Sequence, residues 1–183
     1  MINSFLSKNQ IANIGLKSFG KNVLISSKVS FYSPESITIG NNVRIDDYCI
    51  LSGNINIGSY VHISAFCAYY GKHGIEISDY SGTSPRVTIF SATDNFDGEF
   101  LIGPMVNKGL IKLIKGKVVL DKYVQIGASS IILPDVHIYE GSVVGAMSLV
   151  NKDLREWGIY AGIPAKFIKK RSKELLKKVK EIT

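Results

Sequence analysis

The sequence predicts an all-β protein that folds as a parallel β-solenoid. Aliphatic residues recur at every sixth position in two blocks, a spacing that neither an α-helix nor a β-hairpin produces. Repeats of this length are typical of chains in which short strands alternate with turns and each coil stacks on the one before it. The repeated positions are Ile39, Ile45, Leu51, Ile57 and Ile63 in the first block, and Leu120, Ile126, Ile132, Ile138, Val144 and Val150 in the second.

A second position, four residues after each hexad start, is small or aliphatic throughout, so we expect both positions to line the interior. Glycine often follows the first position, as at Gly40 and Gly58, where we expect a sharp turn that needs unusual backbone dihedrals. With only two cysteines in the chain, we interpret both as core residues rather than as a disulfide or reactive thiols. The second position is occupied by Val43, Cys49, Ile55, Val61, Cys67, Val124, Ser130, Val136, Ser142 and Ser148.

The length of 183 residues fits one domain with a sizeable core, so we expect a single β-helix domain over 1–183. We expect an N-terminal cap over 1–20, the solenoid over 21–156 and a C-terminal segment with an α-helix over 157–183. A long break in the repeat predicts an inserted loop over 91–116, and loops of this length are usually functional or mobile.

Three shorter segments complete the expected organisation. Phe5, Leu6 and Ile11 predict a short helix that caps the exposed strand edges of the solenoid. Apolar residues at helical spacing between Arg171 and Ile182 predict the C-terminal helix. The surplus of two residues between Ile63 and Ile77 is interpreted as a turn over 70–74 that bulges from a corner.

The net charge of +7 is concentrated at the C-terminal end of the chain. Residues 164–183 carry a balance of +6, and the other residues together carry +1. This distribution favours one local anionic ligand or a solvated helix face over a nucleic-acid groove. The N-terminus lacks the apolar core of a secretory signal, and no apolar run is long enough for a membrane span, so we expect a cytoplasmic protein without membrane insertion.

The hexads and the segment Trp157-Gly158-Ile159-Tyr160-Ala161-Gly162-Ile163-Pro164-Ala165-Lys166 resemble the hexapeptide-repeat acyltransferases. The resemblance covers the chain from Gly40 to Arg171 and implies a left-handed parallel β-helix with three hexads in each coil. It also implies acetyl-CoA or a related acyl-CoA as cosubstrate, bound in the groove between two subunits of a homotrimer, and no metal. The loop resembles loops of enzymes that acylate nucleotide-linked amino sugars for bacterial surface polysaccharides, including lipopolysaccharide.

The resemblance implies a cofactor site made of small residues at the coil corners and lysines that meet the phosphates of coenzyme A. The same glycines would serve as turn residues, and the same lysines as a solubilising tail, if no ligand bound there. The implied cofactor residues are Gly127, Ala128, Gly145, Ala146, Lys152, Pro164, Lys166 and Lys170.

Two sources of a general base are open, His62 on the solenoid and the acidic loop with Asp94 and Glu99. Asn95 and Asp97 of the same loop are expected to bind the acceptor. An amine is partly neutral near pH 7 and needs little help, which favours the loop for positioning, whereas a sugar hydroxyl is a much weaker acid and favours His62. The identity of the base therefore depends on the identity of the nucleophile.

The predicted function is acyl-CoA-dependent transfer of an acetyl or similar short acyl group to an amino nucleotide sugar. An O-acetyltransferase that acts on a sugar hydroxyl is the alternative. A metalloenzyme of the γ-carbonic anhydrase kind would need three converging imidazoles, and the three histidines of this chain lack the expected spacing. A solenoid scaffold without catalysis is a third possibility, against which the acidic loop and the Pro164-Ala165-Lys166 segment argue.

Overall fold

The computed structural model describes residues 4–181, in which short strands wind into a parallel β-solenoid with a helix near each end. The helices are α1 (Lys8–Ala12) and α2 (Leu175–Val179), and two 3-10 turns span Pro34–Ser36 and Lys108–Leu110. The strands are β1 (Ser18–Phe19), β2 (Val23–Ile25), β3 (Ser30–Tyr32), β4 (Ile37–Ile39), β5 (Val43–Ile45), β6 (Ile50–Ile57), β7 (His62–Ile63), β8 (Ala68–Ile77), β9 (Gly82–Thr83), β10 (Thr88–Phe90), β11 (Ala92–Asp94), β12 (Leu113–Lys115), β13 (Val118–Leu120), β14 (Gln125–Ile126), β15 (Ile131–Ile132), β16 (His137–Ile138), β17 (Val143–Val144), β18 (Leu149–Val150), β19 (Gly158–Ala161) and β20 (Lys166–Lys170).

Each coil has three sides, and the stacked strands form three faces. Face 1 contains β1, β4, β13 and β16 with the C-terminal halves of β6 and β8. Face 2 contains β2, β5, β7, β9, β14, β17 and β19 in that order, which gives seven levels. Face 3 contains β3, β10, β15 and β18 with the N-terminal halves of β6 and β8. The chain passes from face 1 to face 2 to face 3. Each edge of the solenoid is named after the two faces that meet there, so the edges are corner 1/2, corner 2/3 and corner 3/1.

The hexad positions predicted to line the interior form the core. None of them is more than 3% exposed, which confirms both repeated positions. The repeat also continues between the two blocks, through Thr83 and Ile89, where a threonine interrupts the aliphatic pattern. Cys49 and Cys67 are free and buried, as predicted. Contact with Cys67 and burial raise the pKa of the Cys49 thiol well above its ordinary value, so this thiol stays protonated and unreactive.

The sharp turns at the corners are made by the fourth residue of the hexad, not by the glycines. Tyr48, Tyr60 and Phe66 have φ angles of 61°, 59° and 64° in the left-handed region. The prediction that Gly40 and Gly58 supply unusual dihedrals is wrong, because neither has a left-handed φ. A Cβ on Gly40 would lie 2.6 Å from the carbonyl carbon of Gly58 in the next coil. Close stacking of the coils is therefore the reason for glycine at this position.

The segment 70–74, predicted as a turn, lies inside β8. This strand and β6 run straight through corner 3/1, and their register shifts between Gly53 and Ile55 of β6. The surplus residues form a β-bulge, which absorbs extra length without breaking the strand. The bulge contacts the start of the inserted loop, because the backbone N–H of His73 donates to Ser91 Oγ at 2.8 Å.

The inserted loop leaves corner 3/1 between β10 and β13 as a hairpin. Its strands β11 and β12 pair antiparallel, and the neck is closed by a hydrogen bond of 3.0 Å from Gly116 N–H to the Ser91 carbonyl. Several large apolar side chains of this hairpin are exposed, including Phe96, Leu101, Ile102, Met105, Leu110 and Ile114.

Both predicted terminal helices are present within the described residues. Helix α1 begins with a capping box, in which Ser7 and Gln10 bond to each other's backbone N–H. Helix α2 is shorter than the predicted helical spacing, which extended to Ile182, and Ile182 lies outside the described residues. Of the helices within residues 4–181, none is long and apolar enough to cross a membrane.

Candidate functional site

Four of the predicted cofactor residues occupy two successive levels of corner 2/3. The levels are joined by a 2.8 Å hydrogen bond from Met147 N–H to the Ala128 carbonyl. A Cβ on Gly127 would collide with the backbone of Ala146, and one on Gly145 would lie 2.9 Å from the Ala161 side chain. Packing thus requires both glycines, and the small residues leave backbone groups of this corner accessible to a thin, extended ligand.

Pro164 and Lys166 continue along corner 2/3, past the last full coil of the solenoid. Ala165 N–H donates to the Leu149 carbonyl at 2.8 Å, which holds the Pro164 segment beside β18. Lys166 is exposed and pairs with Ala161 at the corner 2/3 end of β19. We call the six residues of this line the donor line; they are Gly127, Ala128, Gly145, Ala146, Pro164 and Lys166.

The other two predicted cofactor lysines lie at different corners. Lys170 pairs with Gly158 at the corner 1/2 end of β19, about 13 Å along the strand from Lys166. Lys152 lies at corner 3/1, where it lines a groove of about 900 Å³ with Asp153, Arg155 and other residues of mixed charge. Within one chain, neither lysine joins the donor line.

Arg171 fixes the end of β20, and sequence reasoning assigned it no role. Its guanidinium donates to the carbonyls of Tyr123 at 2.6 Å and Gly141 at 3.0 Å, and its backbone N–H donates to the Trp157 carbonyl at 2.8 Å. Three levels of corner 1/2 therefore hold the strand that carries Lys166. An arginine within a lysine-rich tail gives no sequence signal that separates it from its neighbours.

The acidic loop places its carboxylates in two different settings. Asp94 ends β11, is half-buried, and lies 3.5 Å from the Gly103 N–H. Asp97 is exposed and closes a local turn, because it accepts from the Glu99 N–H at 2.9 Å and from the Asn95 amide at 2.6 Å. The Glu99 N–H lowers the pKa of Asp97 most strongly. The residues 95–99 thus form one compact turn next to Asp94.

His62 lies on face 2 beside a polar groove of about 200 Å³. Its Nε2 is 2.7 Å from Asp46 Oδ2, and the Arg44 guanidinium donates to the other carboxylate oxygen at 2.7 Å. The ring is therefore oriented with Nδ1 away from Asp46, and the side chain is 52% exposed. Gly82 is the next residue down the face, and its missing side chain opens the groove.

Sequence reasoning missed the partners that line this groove. Asp46 precedes His62 by 16 residues, close to the length of one coil, so the hexad register could have revealed the pair. Ser84 and Gln125 also line the groove, and no motif marks them. The other two histidines, His73 and His137, lie in the β8 bulge and on face 1. Residues 4–181 contain no group of three or more His, Cys, Asp or Glu side chains that could hold a metal ion.

The structure separates the loop from the donor line within one chain. Asp94 belongs to a hairpin that leaves corner 3/1, whereas the donor line follows corner 2/3. His62 lies between corners, on face 2. Within one chain, the hairpin and the donor line therefore start from different corners of the solenoid.

Comparison with known proteins decides the family. No family model matches the chain. The dTDP-4-amino-4,6-dideoxy-D-glucose acyltransferase of Escherichia coli is 43% identical over 176 residues, which cover 94% of this chain and 92% of the relative. The chain belongs to the hexapeptide-repeat acyltransferases. WbbJ of Escherichia coli strain K12, a relative described as a lipopolysaccharide biosynthesis O-acetyl transferase, is 30% identical over 149 residues, which cover 76% of this chain and 71% of WbbJ.

Solved structures of family members agree in fold. AntD, an N-acyltransferase from Bacillus cereus in complex with dTDP and 3-hydroxybutyryl-CoA, superposes with a TM-score of 0.97 at 49% identity, over 99% of this chain and 97% of AntD. Another AntD structure, a serine variant, contains dTDP-4-amino-4,6-dideoxyglucose and coenzyme A, with a TM-score of 0.97 at 48% identity. The predictions of a left-handed parallel β-helix and of an acyl-CoA-dependent acyltransferase are confirmed.

Proposed function

We propose that the protein transfers an acyl group from acyl-CoA to the amino group of a dTDP-linked 4-amino-4,6-dideoxy sugar, in the biosynthesis of a bacterial surface polysaccharide. The observation that carries the proposal is similarity over nearly the whole chain to proteins whose names or bound ligands combine this acceptor with coenzyme A. Both substrates are cytoplasmic metabolites in bacteria, so the proposal places the enzyme in the cytoplasm.

The donor line supplies the binding site for acyl-CoA in this proposal. Its small residues leave backbone groups free to bond the amide groups of the pantetheine arm, and Lys166 meets a phosphate at the lower end. Arg171 stabilises the position of β20 and so of Lys166. Lys152 and Lys170 reach the same ligand only if a neighbouring subunit brings their corners to it.

The reaction needs a free amine placed against the thioester carbonyl. The amine nitrogen attacks, a C–N bond forms, the C–S bond breaks, and the proton lost by nitrogen ends on the departing thiolate. Asp94 accepts a hydrogen bond from the amine and passes the proton directly or through water, with Glu99 close by in the same turn. Because the amine is partly neutral near pH 7, positioning contributes more than deprotonation. Asn95 and Asp97 bind the acceptor from the same turn.

A homotrimer with sites between subunits reconciles the separated elements. The loop of one subunit reaches the donor line of its neighbour, so that Asp94 and Ala146 of different chains share a site. The exposed apolar side chains of the hairpin support this arrangement, because a large apolar patch on a loop usually covers a partner surface.

Acylation of a sugar hydroxyl is the second candidate, and the Asp46 and His62 pair favours it. An imidazole held by a carboxylate at 2.7 Å is arranged like a general base, which a hydroxyl nucleophile requires. A relative that is 30% identical is described as an O-acetyl transferase.

The decisive experiment supplies purified protein with an acyl-CoA and one of two matched acceptors. The acceptors are dTDP-4-amino-4,6-dideoxyglucose and the same compound with a hydroxyl at C4, and the donors are acetyl-CoA and 3-hydroxybutyryl-CoA. We expect release of free thiol and an amide product, identified by mass spectrometry, with the amino acceptor alone. Turnover with the hydroxyl acceptor only, or with neither acceptor, contradicts N-acylation.

A further inference from the structure

Two buried serines lie inside corner 2/3, directly behind the donor line. Ser130 and Ser148 occupy the second hexad position at successive levels of the solenoid, and neither is more than 3% exposed. A hydroxyl group in an apolar core must form hydrogen bonds to offset the free energy of its burial. The hydrogen-bond partners of the two serines therefore show which part of the corner they hold in place.

Both hydroxyls donate to the same carbonyl, that of Gly145. The Gly145 oxygen lies 3.0 Å from Ser130 Oγ and 2.8 Å from Ser148 Oγ. The Ser148 hydroxyl is farther from the Ala146 carbonyl, at 3.5 Å, so Gly145 is its main acceptor. The two serines are also joined to each other, because Ser148 N–H donates to Ser130 Oγ at 3.2 Å. Two donors thus hold the Gly145 carbonyl towards the core.

The inward carbonyl determines the direction of the next backbone N–H. The Gly145 carbonyl and the Ala146 N–H belong to one peptide unit, which is trans. In a trans peptide the C=O and N–H bonds point in opposite directions, so Ala146 N–H points away from the core. Ala146 is exposed, and its N–H forms no hydrogen bond with another group of residues 4–181.

Gly127 leaves this N–H uncovered. Gly127 lies one level above Gly145, and a Cβ at Gly127 would collide with the Ala146 nitrogen. Because glycine has no side chain, the Ala146 N–H stays open to a ligand that lies along the corner. A free backbone donor of this kind bonds a carbonyl oxygen, and the pantetheine arm of coenzyme A carries amide carbonyls.

We propose that Ser130 and Ser148 are positioning residues for the acyl donor, which hold the Gly145 carbonyl inwards so that Ala146 N–H faces the pantetheine arm. This inference rests on the proposed function, because it assumes coenzyme A on the donor line. Neither serine touches the donor, and both act through the Gly145–Ala146 peptide. Ser148 also accepts from Gly162 N–H at 3.0 Å, which ties the segment before Pro164 to the same pair.

Two features of the chain supply matched variants. Ser142 is fully buried at corner 1/2, away from the donor line, and its Oγ donates to the Arg155 carbonyl at 2.7 Å. Ser142→Ala therefore removes a core hydrogen bond of the same kind without affecting Ala146. Cys67 occupies the second hexad position at a higher level of corner 2/3, and its thiol donates to the Ser84 carbonyl at 3.2 Å. Ser130→Cys is thus the conservative variant that keeps a donor.

The test measures, by calorimetry, binding of coenzyme A and of adenosine 3′,5′-bisphosphate, which lacks the pantetheine arm. We expect Ser130→Ala to weaken coenzyme A about threefold, and Ser130→Ala combined with Ser148→Ala to weaken it about tenfold, because Ala146 N–H loses its fixed direction. Ser130→Ala should leave the bisphosphate affinity unchanged. Ser130→Cys and Ser142→Ala should keep the wild-type affinity for both ligands.

The kinetic constants should change in the same way. In Ser130→Ala we expect KM for acyl-CoA to rise about threefold, with kcat and KM for the dTDP-amino sugar within about twofold of wild type. Light scattering and melting curves show whether each variant keeps its assembly and fold. If the double variant does not fold, Ser130→Ala decides the outcome.

Three results would overturn the positioning role and leave the proposed function intact. The first is wild-type turnover with unchanged coenzyme A affinity in the serine-to-alanine variants. The second is equal weakening of coenzyme A by Ser142→Ala, which would assign the effect to a general loss of stability. The third is equal weakening of coenzyme A and the bisphosphate by Ser130→Ala. A wild-type protein that neither binds coenzyme A nor turns over contradicts both the inference and the proposed function.

Discussion

In the proposed acyl-CoA site, Lys166 is a single exposed charge beside residues that offer mostly backbone groups. Its neighbours on the donor line offer N–H and carbonyl groups, which recognise an amide chain but not a phosphate. In the proposed site, the ammonium of Lys166 provides that recognition at the end of the donor line, where β20 begins. Two other lysines of the C-terminal segment have a different setting, since Lys177 pairs with Glu174 and Lys178 with Glu181.

Replacement of this lysine should therefore discriminate between donors. We expect Lys166→Ala to weaken acetyl-CoA by about 1–2 kcal/mol, the range for one exposed charge-assisted contact, and to affect a donor without the ribose 3′-phosphate less. KM values for the two donors check this. Lys180→Ala, in the same tail beyond α2, is the control and should change neither KM. Equal weakening of both donors by Lys166→Ala assigns a structural role to Lys166.

The nucleophile can be identified by comparing Asp94 with His62. If the acceptor is an amine, we expect Asp94→Asn to lower kcat roughly 10- to 100-fold and His62→Asn to lower it less, because water can carry a proton from a partly neutral amine. If the acceptor is a hydroxyl, the order reverses. Melting curves of both variants control for folding. Near-normal turnover in both variants contradicts the assignment of the catalytic groups.

Residue identities at the corners show the limit of prediction from the sequence. The hexad predicted which positions are buried, because a buried position tolerates only small or aliphatic side chains in every coil. The corner residues are exposed and hydrogen-bond through their backbone, so Tyr48, Arg86 and Ser129 satisfy the same turn with no shared side-chain chemistry. The roles of Asp46 and Arg171 depend on contacts between coils and segments, which a reading of individual motifs does not reveal.

At the scale of the element, stacking of coils explains the glycines better than backbone conformation does. We expect Gly40→Ala to destabilise the protein by about 1–3 kcal/mol, the usual cost of overpacking, because its Cβ would meet the Gly58 backbone at 2.6 Å. Gly109→Ala is the control, since the nearest atom to its Cβ would be 3.7 Å away, and should change stability by less than about 0.5 kcal/mol. Denaturant unfolding measures both, and equal stability of the two variants contradicts the stacking explanation.

The N-terminal cap is tied to the first coils through Asp47, whose Oδ1 accepts a hydrogen bond from the Ser4 hydroxyl at 3.3 Å. The Lys28 ammonium, followed by the Ser26 hydroxyl, lowers the pKa of Asp47 below its ordinary value of 3.8. A carboxyl whose pKa is lowered in the folded state contributes stability above its unfolded pKa and loses it as the pH falls through the folded pKa. We expect Asp47→Asn to lower Tm at pH 7, with a difference from wild type that shrinks below about pH 4. A difference that is independent of pH contradicts the ion-pair contribution.

The inserted hairpin was predicted as a loop, and its acidic residues were predicted as functional. The direction in which the hairpin leaves the solenoid was not predicted. Direction depends on the corner at which the loop leaves the solenoid, and the β8 bulge holds that corner through the contact of His73 with Ser91. The sequence shows the surplus residues of the bulge only as a break in the repeat. These residues continue the strand because they pair with β6, which lies one coil away.

At the scale of the whole molecule, the proposed function depends on how copies of the chain associate. One chain has the donor line on one corner and the acidic hairpin on another, and its grooves are shallow and open. An enclosed site for two large substrates needs a second wall, and in the proposed trimer a neighbouring subunit provides it. A trimer with three equivalent sites uses each hairpin once and each donor line once.

The most direct measurement of this shared site is complementation between two inactive variants. Asp94→Ala removes the loop carboxylate, and Ala146→Glu places a bulky charge on the exposed donor line without a buried substitution. Each variant alone should have little activity. When the two are co-expressed in equal amounts, random mixing should restore about a quarter of wild-type activity, because one site in four then combines an intact hairpin with an intact neighbouring donor line. Mixed assemblies that stay as inactive as the separate variants would contradict a site shared between subunits.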